Sequence, residues 1–329
     1  MTSRWPEWAS VWTPLLQGAV KESSEGQYRL GVRHFLNWVE ESQISLLTTR
    51  DIDSALAEYG WWVFERFGGR GKWRLHQAVH GVEHFLPATY QKLVLGRRSV
   101  KGWNHFRPPK SHPPLTWSLT CLLAVECCHM GHPGMGVAIL TAFDCYLRVS
   151  EVGELEVRDV SDLEAMGDGL RGTLVSLERC KTGNNQSVTV KRPVVQSLLF
   201  QWVNYVRARS GHERGRLFPD PMTFRRLFAE AQDRLGWAGR GTSNAYFVPH
   251  SLRHGGASCD FIYSKRTLEE ILLRGRWVSV MSTRRYIQQG PALMAEAMAE
   301  VPQWQREYGR LIAVNVGLWF PRPHIVGEV

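Results

Sequence analysis

The sequence predicts a mainly α-helical protein with one small antiparallel β-hairpin or sheet. Most of the 329-residue chain carries apolar residues at helical spacing. Residues 170–190 instead alternate around a turn that contains glycine and asparagine. Residues 108–114 include four prolines, which exclude a helix there and indicate a linker. We therefore predict two domains, residues 1–110 and residues 111–329.

The first domain is predicted to consist of helices. The first helix would follow an N-cap at Ser23 or Ser24, and the second an N-cap at Thr49. A third is expected over residues 72–85, after a glycine-rich break. Each of the first two has one apolar stripe: Tyr28, Val32, Phe35 and Val39, then Ile52, Leu56, Tyr59 and Val63.

The second domain is predicted to begin with helices over residues 115–130 and 137–147. Two strands follow, over residues 173–179 and 186–190, with a hairpin turn over residues 181–185. Helical spacing then resumes over residues 194–209, 222–235, 253–263 and 268–273. A last short helix, apolar on most sides, is expected after Gly290 and Pro291.

The composition of the chain argues against a membrane protein and against a secreted protein. No run of about 18 apolar residues is present, so we expect no membrane span. Residues 1–12 lack the apolar stretch of a secretory signal. The six cysteines lack the dense spacing of a disulfide-stabilised secreted domain, which favours free thiols. We expect a reducing compartment: the cytoplasm or nucleoid, or the nucleus of a eukaryote.

The positive charge is concentrated in one segment. Residues 66–110 contain ten Lys or Arg residues and a single acid, Glu83, so this segment alone carries the whole chain's formal charge of +9. Aromatic residues are interspersed, which is typical of a surface that binds nucleic acid. From this segment we select the candidate DNA-binding residues Arg66, Arg70, Lys72, Arg74, Arg97, Arg98 and Lys101.

Three groups of residues that contain histidine were considered as possible metal-binding sites. His76, His80 and His84 share a helix face, but without a cysteine or carboxylate beside them a polar face near phosphate is favoured. The residues around Cys127 lack a second ligand pair at zinc-finger spacing. His250 and His254 have the spacing of a zinc helix but lack the accompanying glutamate. We therefore predict no metal and no cofactor.

Four separated motifs together contain the residue types that a reaction on a phosphodiester requires. They are Arg148 with Glu151, Lys181 in the hairpin turn, His250 with Arg253, and Trp277 followed by Tyr286. Arginine and histidine donors can hold a phosphodiester and stabilise the charge that develops when a nucleophile attacks it. A lysine can protonate the departing oxygen, and a tyrosine can store the bond as a covalent ester.

In order, spacing and residue type these motifs resemble the tyrosine recombinase (phage integrase) family. The resemblance covers about residues 115–288, and the segment before it resembles the family's helical core-binding domain more loosely. It implies that residues 1–110 clamp DNA and that residues 111–329 form the catalytic domain, with a small antiparallel sheet.

The resemblance also implies a role for each site residue. Arg148 and Arg253 match the two catalytic arginines, and Glu151 matches the acid that orients the first of them. Lys181 matches the general acid, His250 the partner of Arg253, and Tyr286 the nucleophile. Trp277 stands where most members have histidine and Cre-like members have tryptophan; its indole can donate one hydrogen bond and position the phosphate.

The implied activity is site-specific recombination or integration of double-stranded DNA through a 3′-phosphotyrosine intermediate, without ATP or metal. A mobile element is a natural context for it. The resemblance further implies a tetramer on paired sites, joined through the C-terminal helix, although that helix could also pack on its own domain. Three alternatives stay open: a type IB topoisomerase, a domesticated protein that binds DNA without cutting it, and an RNA-binding protein.

Overall fold

The computed structural model describes residue 15 and residues 18–20, 22–108, 112–163, 172–180, 183–237, 247–298 and 301–320. The chain divides into two compact units, Met1–Lys110 and Ser111–Val329, each with its own core. The described part is mainly helical with one three-stranded antiparallel sheet, so the predicted fold class is confirmed. No described helix is long and apolar enough to cross a membrane.

The first unit contains four described α-helices. They are α1 (Glu22–Glu41), α2 (Thr49–Arg66), α3 (Lys72–Phe85) and α4 (Val94–Phe106). The predicted apolar stripes supply the core of this unit, in which Phe35, Ile52 and Leu56 are fully buried. Both predicted N-caps are wrong by a residue or two: α1 begins at Glu22, before Ser23, and the cap of α2 is Thr48, which forms a capping box with Asp51.

Helix α4 was not predicted from the sequence, because two glycines interrupt its pattern. Its first turn is capped from another helix: the buried Asp53 carboxylate accepts hydrogen bonds from the main-chain N–H groups of Leu95 and Gly96, both at 2.9 Å. A Cβ on Gly96 would come within 3.1 Å of Val79. Glycine therefore allows α4 to lie close to α2 and α3, and the cap compensates for its weak helical propensity.

The second unit surrounds its sheet with helices. They are α5 (Trp117–His129), α6 (Pro133–Asp144), α7 (Val149–Glu154), α8 (Pro193–Ser210), α9 (Pro221–Arg234), α10 (His250–Ile262), α11 (Leu268–Gly275), α12 (Val280–Tyr286), α13 (Gln289–Met298) and α14 (Gln303–Ala313). Helices α5 and α6 are apolar on all sides and form the centre of the core. Helices α7, α12 and α14 were not predicted.

The sheet has the order β1 (Val160–Asp162), β2 (Thr173–Cys180), β3 (Gly183–Val190). Cys180 pairs with Gly183, so the hairpin turn is shorter than the predicted five residues and the strands extend further. Strand β1 was missed because three residues are too few to show alternation.

Helix α10 begins at His250, three residues before its predicted start, and this shift matters for the site. His250, Arg253 and His254 consequently lie at i, i+3 and i+4 of one helix and share a face. Glycine is required at the next two positions, because a Cβ on Gly255 or Gly256 would collide with main-chain oxygens of the core. The close approach brings α10 against the end of α6, next to the segment that carries Arg148.

Candidate active site

Arg148 and Glu151 form the first part of the site, at the start of α7. The main-chain N–H of Arg148 donates to Glu151 Oε2 at 2.8 Å, and its guanidinium donates to Glu151 Oε1 at 2.5 Å. The Glu151 side chain is buried, whereas 16% of the Arg148 side chain is exposed. Glu151 therefore holds Arg148 at its inner end and leaves the guanidinium accessible to a ligand.

Arg253 lies deeper, on the inner face of α10, and is completely buried. Its two terminal nitrogens donate to the main-chain oxygens of Tyr146 and Gly275, and Nη1 lies 3.8 Å from Glu151 Oε2. The guanidinium carbon lies 5.4 Å from the centre of the Tyr286 ring. Arg253 thus links the segment before α7, the end of α11 and the tyrosine.

Tyr286 is the last residue of α12, and aromatic rings surround it. Its ring stacks on Trp277 with centroids 4.4 Å apart and on His254 at 4.8 Å, and the His250 ring lies edge-on at 5.5 Å. The main-chain oxygen of Tyr286 accepts from the Ser258 hydroxyl at 3.2 Å. The half-buried phenol is therefore fixed beside two histidines and Arg253.

The electrostatics of the site favour an anion. Three guanidinium groups, those of Arg148, Arg253 and Arg276, contact the single carboxylate of Glu151. Burial is the main cause that lowers the pKa of His250 to about 4, with smaller contributions from the neighbouring His254 and Arg253. Burial also lowers the pKa of His254 to about 4, so both rings are neutral at neutral pH.

Buried donors in this cluster lack partners. The Nε atoms of Arg253 and Arg276 and the indole nitrogen of Trp277 are buried and make no hydrogen bond to any residue that the structure describes. A buried donor without an acceptor costs free energy, and such groups in native proteins usually have a ligand, water or functional explanation. An anion with several oxygens is the ligand that such donors match.

One predicted catalytic residue and several unpredicted ones complete the description. Lys181, which the sequence analysis assigned to the hairpin turn, falls outside the described residues. The sequence analysis missed Tyr146, Ser258 and Arg276, since no motif distinguishes them; each contributes through a main-chain oxygen, a hydroxyl or a buried ion pair. Within the described chain, no group of three or more His, Cys, Asp or Glu side chains could hold a metal ion.

The predicted DNA-binding residues all lie in the first unit, and they differ in their surroundings. Arg66, Arg70, Arg98 and Lys101 are exposed. Arg97 instead forms a bidentate ion pair with the buried Glu83, with both N–O distances 2.8 Å.

Lys72 and Arg74 are also engaged within the first unit. Lys72 donates to Asn104 at 2.5 Å, and Arg74 lies 2.7 Å from His34 and over the Trp73 ring. Part of the basic segment is therefore structural.

The predicted histidine face does have a carboxylate beside it, contrary to the expectation from the sequence, since Glu83 lies 3.3 Å from His80.

No protein-family model and no curated protein matches the sequence. Solved structures do match. The Tn1549 transposon integrase in complex with transposon right end DNA is 13% identical, with 85% of this chain and 95% of that chain covered and a TM-score of 0.59. A lambda integrase dimer bound to a COC′ core site is 14% identical, with 84% and 74% covered and a TM-score of 0.53.

A lambda integrase tetramer bound to a Holliday junction gives 16% identity, 84% and 74% coverage and a TM-score of 0.50. At such identities the likeness concerns the fold, and it agrees with the resemblance inferred from the catalytic motifs. The chain has the fold of the tyrosine recombinases.

Proposed function

We propose that the protein is a tyrosine recombinase that cuts and rejoins double-stranded DNA at specific sites. The observation that carries this proposal is that Arg253, His250 and Trp277 surround Tyr286, while Arg148 shares the carboxylate of Glu151 with Arg253. The direct test is a suicide DNA substrate with a nick beside the cleavage site, identified first by selection from a random library. A covalent protein–DNA band is expected in denaturing gels.

In the proposed reaction the Tyr286 oxygen attacks the phosphorus of one strand. The phenolic proton leaves to a neutral acceptor, and His250 and His254 are neutral and adjacent to the phenol's ring. The bond from phosphorus to the 5′ oxygen breaks, and that oxygen takes a proton from Lys181, as in the family that the sequence resembles. The products are a 3′-phosphotyrosine and a free 5′-hydroxyl.

The second half of the reaction reverses the first. A 5′-hydroxyl of a partner strand attacks the phosphotyrosine and releases Tyr286, so the bond energy is conserved in the ester. The positive charges of Arg148 and Arg253 stabilise the additional negative charge in both transition states. Recombinant products on two-site DNA distinguish this function from a topoisomerase, which would give relaxed circles alone.

DNA binding is proposed to depend on the exposed part of the basic segment. Reversing the charge at Arg98 and at Lys101 should weaken binding and make the plot of log affinity against log salt less steep by about 0.9 for each phosphate that is no longer neutralised. The measurement is fluorescence anisotropy on duplex DNA at several salt concentrations. Arg97 is unsuitable for this test, because a reversed charge there would face the buried Glu83.

The control for this prediction is Arg50→Glu, which makes the same charge change at an exposed position outside the basic segment. Its salt dependence should equal that of the unmodified protein. An unchanged slope in both Arg98→Glu and Lys101→Glu would show that these side chains do not neutralise DNA phosphates.

Assembly on DNA is proposed to use the exposed faces of the C-terminal helices. Helices α13 and α14 pack partly on their own unit, since Ala295 and Ala313 are buried and Gly309 lies against Leu122. Deleting residues 291–329 would therefore damage the core. Large apolar side chains nevertheless remain exposed along these helices, among them Leu293, Met294, Trp304 and Leu311.

Trp304→Glu combined with Leu311→Glu should reduce cooperative assembly on two-site DNA while leaving single-site binding intact. Each side chain is more than two thirds exposed, so the folded unit should tolerate the change. Loss of an apolar anchor at an interface costs about tenfold or more in affinity. Sedimentation on one-site and two-site DNA measures both effects.

The control is Met222→Glu, since Met222 on α9 is apolar and at least as exposed as Trp304 and Leu311. It should assemble like the unmodified protein. Cooperative assembly that survives in the double variant would contradict this role of the C-terminal helices.

A further inference from the structure

Arg276 has a backbone conformation that is unusual for arginine. It ends α11 with φ 54° and ψ 41°, in the left-handed region that glycine adopts most easily. Its side chain is only 4% exposed, so a charged group is also removed from water. Both features cost free energy, and residues held in this way often serve a site.

The contacts of the Arg276 side chain show what it is used for. Its Nη2 donates to Glu151 Oε2 at 2.7 Å and lies 3.3 Å from the Tyr146 main-chain oxygen. The other carboxylate oxygen of Glu151 accepts from the Arg148 guanidinium at 2.5 Å. The carboxylate of Glu151 therefore lies between Arg276 on its buried side and Arg148 on its accessible side.

We propose that Arg276 is a positioning residue of the active site, which fixes and ionises Glu151 so that Glu151 can aim the Arg148 guanidinium at the phosphate. The Arg276 side chain is 4% exposed and is paired with Glu151 on its buried side, whereas the Arg148 side chain is 16% exposed on the accessible side. This inference rests on the proposed function, and it adds a third arginine to the two that the sequence motifs identify.

The charged groups around Glu151 fit this role. Arg148 faces it from its own helix, Arg253 from α10 and Arg276 from the end of α11. Other charged residues line the cleft beside it: Glu154, Glu156, Arg158, Asp159 and Glu178. Burial alone would raise the pKa of Glu151, but the charge of Arg276, the N–H of Arg148 and the charge of Arg253 together hold it below the usual value.

A matched pair of variants with unbranched side chains tests the charge of Arg276. Arg276→Met removes the charge, and Arg276→Lys keeps it. Single-turnover formation of the covalent complex on a suicide substrate, measured from pH 5 to pH 8, should be about 10–100-fold slower in Arg276→Met at neutral pH. The acidic limb of its pH profile should move towards neutral pH, because Glu151 is more easily protonated.

Arg276→Lys should recover much of the rate and keep the acidic limb near that of the unmodified protein. A merely structural arginine would not make the pH profile depend on charge at this position. Equal rates and equal pH profiles in the two variants would overturn the inference.

A double variant shows whether Arg276 acts through Glu151 or independently of it. It also keeps the test possible if Arg276→Met folds poorly. Glu151→Gln should itself be slow, and adding Arg276→Met to it should produce little further loss. Removing both charges also avoids an unpaired carboxylate in the core. Additive losses in the double variant would show that Arg276 acts independently of Glu151, and would overturn the inference.

A measurement without DNA keeps this inference distinct from the proposed function. Because the pKa of Glu151 is lowered in the folded state, its contribution to stability is present above the unfolded pKa and is lost as the pH falls through the folded pKa. Urea unfolding from pH 3 to pH 6 should therefore depend less on pH in Arg276→Met. No covalent complex in the unmodified protein would refute the proposed function, whereas an unchanged pH dependence of unfolding would refute the role of Arg276.

Discussion

Tyr286→Phe is expected to abolish the covalent protein–DNA complex completely and to leave DNA binding unchanged. The substitution removes only the phenolic oxygen, which the proposed reaction requires as its nucleophile. The ring remains, so its stacking on Trp277 and on His254 is preserved. The main-chain oxygen of residue 286 can still accept from Ser258. Folding and DNA affinity should therefore be the same as in the unmodified protein.

The measurement is a denaturing gel of the suicide-substrate reaction, together with a native gel for binding. Tyr263→Phe is the matched control, since Tyr263 is a 67% exposed tyrosine at the end of α10. This control should form the covalent complex at the normal rate. A covalent band that persists in Tyr286→Phe would contradict the assignment, and would make Tyr263 and Tyr246 the next residues to substitute; Tyr246 lies outside the described residues.

Several residues of the candidate site could be selected from the sequence because their types, order and spacing carry the information. Arg148, Arg253, Trp277 and Tyr286 are far apart along the chain, yet the structure places them in one cluster. Arg276 was not identified from the sequence because its role depends on a buried ion pair between residues 125 positions apart. No local pattern reports a contact of that kind.

Contacts between distant residues also explain which parts of the fold and of the charge pattern could not be predicted from the sequence. Long helices with clear apolar stripes were predicted within a few residues, whereas α4 depends on a cap that Asp53 provides from another helix. The basic segment could be recognised from the sequence by its count of Lys and Arg residues. The count could not show that Arg97 is neutralised by Glu83, because pairing depends on three-dimensional structure.

The two arginines of the motifs are expected to respond differently to the same substitution. Arg253 is fully buried and donates to the main-chain oxygens of Tyr146 and Gly275, besides its ion pair with Glu151. Arg253→Met would remove both of these donors, and among the described residues only Arg276 would still reach the Tyr146 oxygen. Breaking a buried charge network from one side costs about 3–5 kcal/mol of unfolding free energy, a large share of the about 5–15 kcal/mol of an ordinary domain.

Arg148→Met provides the matched comparison, because the Arg148 side chain lies at the accessible edge of the same network. It should lower the unfolding free energy by only about 1 kcal/mol. It should nevertheless slow covalent complex formation by about 100–1000-fold, since the transition-state charge then has one donor fewer. Urea unfolding and single-turnover cleavage on both variants separate the two effects. Equal loss of stability in the two variants would show that Arg148 also supports the fold, and normal cleavage by Arg148→Met would remove it from the active site.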